Sequence, residues 1–306
     1  MPFIIILIVI EIYIDCYPNA FNKKAKYLKE QEQDILCLFL GSSHTQNSIN
    51  PEYLQLRSAN LAYGSQDYQL DSALFFAYAA KIKKLKYLFM EIDYHSLEDK
   101  NDASYFRYSW YYKYYGIKMG KLSFMDKIFL YPSAPVFFNN YIWRKLDPRE
   151  QKDSLNAYGF LLNDYDGIFK ELAYNESALR QTAKSRLKNK HTNLSIEYYR
   201  FNTHIMNTMV RYCLAHDIHI VLLKNPVYKT YISNYIPEKQ KRREDYIDSL
   251  LKSSDKIRLL DFESDSRFSV YDFKDDNHLN ASGAKKLSLI LNSLLMSRAI
   301  EKEQQR

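Results

Sequence analysis

The chain predicts an α/β fold, a parallel sheet of about five strands flanked by helices in three layers. Two observations carry this prediction. Five short, nearly unbroken apolar runs are spread along 306 residues, and most are separated by longer stretches whose apolar residues recur at helical spacing. A strand buried on both faces reads as a continuous apolar run, and its alternation with helices is the pattern of βαβ units. Composition agrees: 46% hydrophobic residues with only 7 Gly and 8 Pro excludes repeat, collagen-like and low-complexity chains.

The elements follow in order. Residues 3–17, FIIILIVIEIYIDCY, are apolar apart from Glu11 and Asp15. A helix over 1–17 reaches about 25 Å, short of the ~30 Å hydrocarbon core. It lacks the basic start and small-residue cleavage site of a signal peptide, so it is expected to be an uncleaved membrane anchor, with a buried strand or packing helix of the soluble domain as the alternative. Lys23, Lys24 and Lys26 follow it; by the positive-inside rule they favour a cytoplasmic body, against the exported location inferred below. Strands are predicted at 34–40, 58–63, 86–92, 218–226 and 256–262, and helices at 67–84, 194–217, 237–254 and 282–300. Residues 97–190 interrupt the alternation. This segment is too long for a loop and too aromatic for a linker, so it is expected to form a helical cap inserted between the third and fourth strands. Its Tyr and Trp residues suit packing, with stacking on sugar rings as the alternative.

Other features exclude functions. The net charge of +7 is scattered, except at Lys239, Lys241, Arg242 and Arg243. That run reads as a solvated helix face, and no nucleic-acid partner is expected. Cys16, Cys37 and Cys213 stand far apart, which gives neither a disulfide framework nor a zinc site. The first strand runs into GSSH rather than a glycine-rich phosphate loop, which argues against a nucleotide-binding enzyme. No cofactor or metal is expected.

Two stretches carry chemistry. LFLGSSHTQNS (38–48) puts two serines at the carboxyl end of the first strand, where parallel sheets bind ligands. DFKDDNHLNASGAKK (272–286) places Asp275 three residues before His278, ahead of a helix that Asn280 or Ser282 can cap. Asp275 can reach the Nδ1–H of His278 across that turn and leave Nε2 facing a nucleophile.

With these residues the sequence resembles the SGNH/GDSL hydrolases. Phe39 to Ser43 is similar to their first block, with Ser42 in the place of the usual Asp and Ser43 as nucleophile. Asp275 and His278 resemble the last block, and NLAYGS (60–65) the second, whose glycine, here Gly64, supplies an oxyanion-hole N–H beside that of Ser43. The order of elements agrees over most of 34–297 outside the insert. The serine at 42, the apolar start and the insert resemble most the branches containing the teichoic-acid D-alanine-transfer protein and alginate O-acetylation proteins. The third block departs: where the family has an Asn, this chain reads FMEIDYHS (89–96). His95 is a candidate substitute donor, Glu91 and Asp93 are expected to hold neighbouring loops, and a metal held by these carboxylates with His95 has no supporting spacing.

The resemblance implies a serine-dependent esterase or O-acyltransferase acting on acyl esters of a cell-surface polysaccharide or glycopolymer, exported and tethered by residues 1–17. The catalytic set would be Ser43, Asp275 and His278. The alternative is a noncatalytic member that binds polysaccharide or serves in envelope assembly.

Overall fold

A computed structural model describes residues 2–16, 19–148, 153–186, 191 and 194–297. In chain order it contains α1 (Pro2–Cys16), α2 (Ala20–Gln31), β1 (Cys37–Leu40), α3 (Ser43–Ser48), β2 (Ser58–Asn60), α4 (Tyr68–Tyr78), β3 (Tyr87–Glu91), α5 (Tyr108–Tyr115), α6 (Phe124–Ile128), α7 (Pro135–Leu146), α8 (Ile168–Glu171) and α9 (Glu176–Arg186). Then come α10 (Ile196–Ala215), β4 (His219–Lys224), α11 (Lys229–Ile232), α12 (Pro237–Ser253), β5 (Ile257–Asp261), β6 (Phe273–Asp275), β7 (His278–Leu279) and α13 (Ala281–Met296).

Strands β1 to β5 form one parallel sheet in the order β2-β1-β3-β4-β5, so the predicted α/β architecture is present. Every residue of β1 and β3 is buried, as strands covered on both faces must be. On one face, Phe39, Phe89 and Val221 meet Leu287, Leu291 and Leu295 of α13 in a single core. The spacing of those leucines by four makes them one helical stripe. The rings of Phe39 and Phe89, paired across β1 and β3, stack with centroids 4.1 Å apart.

The chain divides into two compact units. Residues 1–30 with 101–163 form the first, and 31–100 with 164–306 the second, which holds the whole sheet. The segment expected as one insert, 97–190, is therefore shared: its first and last parts belong with the sheet, and its middle joins the N-terminal residues. Within the first unit the aromatics pack on each other. Phe21 lies edge-on to Trp110 and Tyr111 at 4.9 and 5.0 Å between ring centroids.

The proposed anchor, residues 1–17, falls largely in α1, with Met1 and Tyr17 outside the described residues. Among those residues no single helix is long and apolar enough to cross a membrane, and α1 meets α2 at a bend of 61°. The end of the predicted 282–300 helix likewise runs past the described residues at 297.

One reading is corrected. The basic run on α12 is not a solvated face, because Arg243 and Lys239 are buried. Arg243 forks onto Glu263 with bonds of 2.6 and 2.8 Å, and Arg242 binds Glu98 through Nε and Nη2. Only Lys241 is broadly exposed. Paired guanidiniums bury where lone ones cannot, and a charge count along the sequence does not reveal the partners, which lie 20 and 144 residues away.

Candidate active site

The first strand delivers the site. β1 ends at Leu40, and Gly41 turns the chain with φ +143, a conformation L side chains rarely adopt. A Cβ there would also meet the Glu91 side chain at 2.6 Å. Ser42 then caps α3, accepting from the His44 N–H, and Ser43 opens the helix. Glu91, at the end of the neighbouring β3, gathers this turn: its carboxylate accepts from the N–H and Oγ of Ser42 at 2.9 and 2.6 Å, and from the N–H and Oγ1 of Thr45 at 3.1 and 2.8 Å. Ser42 is thus committed to Glu91, while Ser43 faces the other way.

From the far end of the chain, β6 and β7 pair so that Asp275 lies opposite His278. Asn280 caps α13, accepting from the N–H groups of Ser282 and Gly283, and this fixes the approach of the loop. The Nδ1–H of His278 donates to both oxygens of Asp275, at 2.9 and 3.0 Å, and Asp275 also accepts the backbone N–H of His278. With Nδ1 so engaged, Nε2 is the acceptor, and the Ser43 hydroxyl donates to it at 2.8 Å. The structure therefore brings Ser43, His278 and Asp275 together across 235 residues of sequence. Burial lowers the His278 pKa below the usual imidazole value, against the opposing pull of Asp275.

A second chain of hydrogen bonds runs beside the first. His44, which follows Ser43, is buried; its Nδ1–H donates to Asp93 at 2.7 Å, and its Nε2 accepts from the amide of Asn277, which precedes His278, also at 2.7 Å. Asp93 is held in turn by the backbone and side-chain N–H groups of Asn225. Burial raises the Asp93 pKa to about 7. It raises Glu91 as well, with the charge of Asp93 adding to the effect.

Gly64 lies across from Ser43, a Cβ on it coming 3.9 Å from that of Ser43. Its N–H donates to Oε1 of Gln46 at 2.7 Å. His95 is buried and stacks on His191, with ring centroids 4.7 Å apart and planes within 12°. Burial holds its pKa well below the ordinary range, with His44 contributing next. Its Nδ1 has no hydrogen-bond partner among the described residues. Ser43, His44, His95, His191, Asn277 and His278 all line one cavity of about 110 Å³.

His44, Glu91 and His95 present ligand-type atoms within 4.8 Å of one another. Both ring nitrogens of His44 and both oxygens of Glu91 are already spent on hydrogen bonds, so a cation there would have to break this network. The chemistry on offer is that of a part-buried hydroxyl hydrogen-bonded to an oriented, neutral imidazole.

His44, Asn277 and Asn225 were not singled out from the sequence. The one available signal was adjacency, since His44 and Asn277 are the chain neighbours of Ser43 and His278.

No protein-family model matches the chain, and no curated protein matches it. Among solved structures it is similar to a Bacteroides fragilis NCTC 9343 protein described as "a putative acylhydrolase", with 11% sequence identity and a TM-score of 0.40 over 92% of this chain and 99% of that one. At that identity and score the likeness carries no argument.

Proposed function

We propose that the protein is a serine-dependent esterase or O-acyltransferase of SGNH type. The observation that carries this reading is the 2.8 Å bond from the Ser43 hydroxyl to His278 Nε2, with the other face of the ring held by both oxygens of Asp275. A serine hydroxyl is a weak nucleophile near neutral pH, so a base must take its proton as it attacks an ester carbonyl. His278 is placed to do so and to return the proton to the departing alcohol. Asp275 keeps the ring in the required tautomer and stabilises the imidazolium. The developing oxyanion meets the Ser43 N–H, which at the first position of α3 has no intrahelical acceptor. The Gly64 N–H joins it once Gln46 Oε1 gives way to the substrate oxygen. Transfer of the acyl group to water makes a hydrolase; transfer to a sugar hydroxyl makes a transferase.

The resemblance of FLGSS, NLAYGS and DDNH to SGNH blocks supports acyl esters of a surface polysaccharide or glycopolymer as substrates, and with them an exported location. A fluorophosphonate probe tests the assignment. Labelling is expected on Ser43 and lost in Ser43→Ala, with turnover of a small acyl ester down by at least about 10³-fold, whereas Ser42→Ala still labels. A label on Ser42 would overturn the assignment of Ser43 as nucleophile, and no label on folded protein would overturn the catalytic reading in favour of a noncatalytic binding role.

A further inference from the structure

We infer that the unit formed by residues 1–30 and 101–163 docks on an anionic lipid surface. The inference rests on the inverted polarity of α1 within its own unit. Ile4, Ile5, Ile6, Val9 and Ile12 are 55–62% exposed. The acidic Glu11 of the same helix is 5% exposed, with Oε1 accepting from the Tyr131 N–H at 2.6 Å and Oε2 receiving Lys113 Nζ at 3.4 Å. Asp15 pairs with the same ammonium at 2.8 Å. A helix on a water-soluble body does the reverse, burying its aliphatic stripe and exposing its charges. Turning the Glu11 carboxylate inward and these aliphatic side chains outward is favourable where the surroundings are hydrocarbon.

The rest of the unit continues the pattern. Phe124 of α6 is 75% exposed and Trp143 of α7 71%, with Ile128, Val136 and Leu146 also outward. Exposed Lys118, Lys121 and Lys127 flank Phe124 in sequence. Outward aromatics interspersed with lysines are the composition of a lipid headgroup boundary. Charge selects the lipid: the unit holds 13 Lys and Arg against 8 Asp and Glu, a net +5 of the chain's +7, and basic surfaces are drawn to anionic leaflets.

Trp143 is the natural reporter, because the only other tryptophan, Trp110, is already buried. The full chain should cosediment with phosphatidylglycerol–phosphatidylcholine vesicles, and at least about tenfold more weakly with phosphatidylcholine alone. In a Trp110→Phe variant, Trp143 emission should move to shorter wavelength on vesicle addition and be quenched by brominated acyl chains. Ile5→Glu with Val9→Glu should abolish cosedimentation while circular dichroism and fluorophosphonate labelling stay as in the parent. Equal binding to both vesicle types would overturn the anionic assignment. Protein left in the supernatant with unchanged Trp143 emission would overturn the lipid assignment. So would a self-association that the double glutamate variant dissolves in the absence of any vesicle binding, since it would show the face to be an interface between copies.

Discussion

At the scale of single residues, the site is a pair of parallel hydrogen bonds between two short loops. Ser43 meets His278, and their neighbours His44 and Asn277 meet each other. The second bond fixes how far apart the first pair can drift, and an error near 1 Å at a reacting centre costs on the order of 10²-fold. His44→Phe removes both bonds of that ring. It is expected to lower kcat on a small acyl ester by about 10- to 100-fold with KM little changed, and Ser43 should still label, more slowly; an unchanged kcat would show the clamp to be idle. The pH profile follows from the environment of His278. Only the neutral ring accepts the Ser43 proton, and burial lowers its pKa, so activity should rise with pH along a limb whose midpoint lies below the ordinary value of about 6.5 and level off above it. Asp275 is the group that holds this pKa up, so Asp275→Asn is expected to move the limb lower still and to reduce turnover by about 10³- to 10⁴-fold. An Asn variant with the parental profile would remove Asp275 from the mechanism.

At the scale of elements, α13 both completes the core and aims the base. Its cap residue Asn280 accepts two N–H groups and lies two positions beyond His278. Asn280→Ala should therefore cost about 0.5–2 kcal/mol of stability, as lost helix caps do, read as a lower denaturation midpoint with an unchanged m-value. It should also weaken labelling at Ser43 by loosening the loop. The strands and long helices were legible because burial on both faces, or on one stripe, writes itself into local hydrophobic spacing. Ser43, Asp275 and His278 were legible because their loops resemble known blocks. The role of Glu91 needed the sheet order: β3 pairs with β1 in register, Leu40 opposite Met90, and this sets Glu91 beside the turn that follows β1. No local pattern states which strands are neighbours. The same limit applies to Asp93, whose partners His44 and Asn225 come from the ends of two other strands. It applies again to Arg243, whose charge is visible in sequence but whose partner Glu263 is not.

At the scale of the whole molecule, the two units divide the labour by sequence content. Every residue of the candidate site lies in the unit of 31–100 and 164–306, which has its own sheet and core. A shortened chain that starts at Gln31 and replaces 101–163 with a flexible glycine–serine linker should keep fluorophosphonate labelling at Ser43 and lose binding to anionic vesicles. Loss of labelling in a folded product would show that the site depends on the removed residues. The first unit, by contrast, is built from two stretches far apart in the chain, and its ion pair joins Glu11 to Lys113 over 102 residues. On a ribosome adding about 5–20 residues per second, some 5 to 20 s separate the emergence of these two partners. For that interval the isoleucine-rich helix is a nascent segment whose acidic residue lacks its lysine, open to whatever meets growing chains at the tunnel exit. The groups that bury Glu11 in the folded unit, Lys113 and the Tyr131 N–H, are therefore still to be synthesised when α1 emerges.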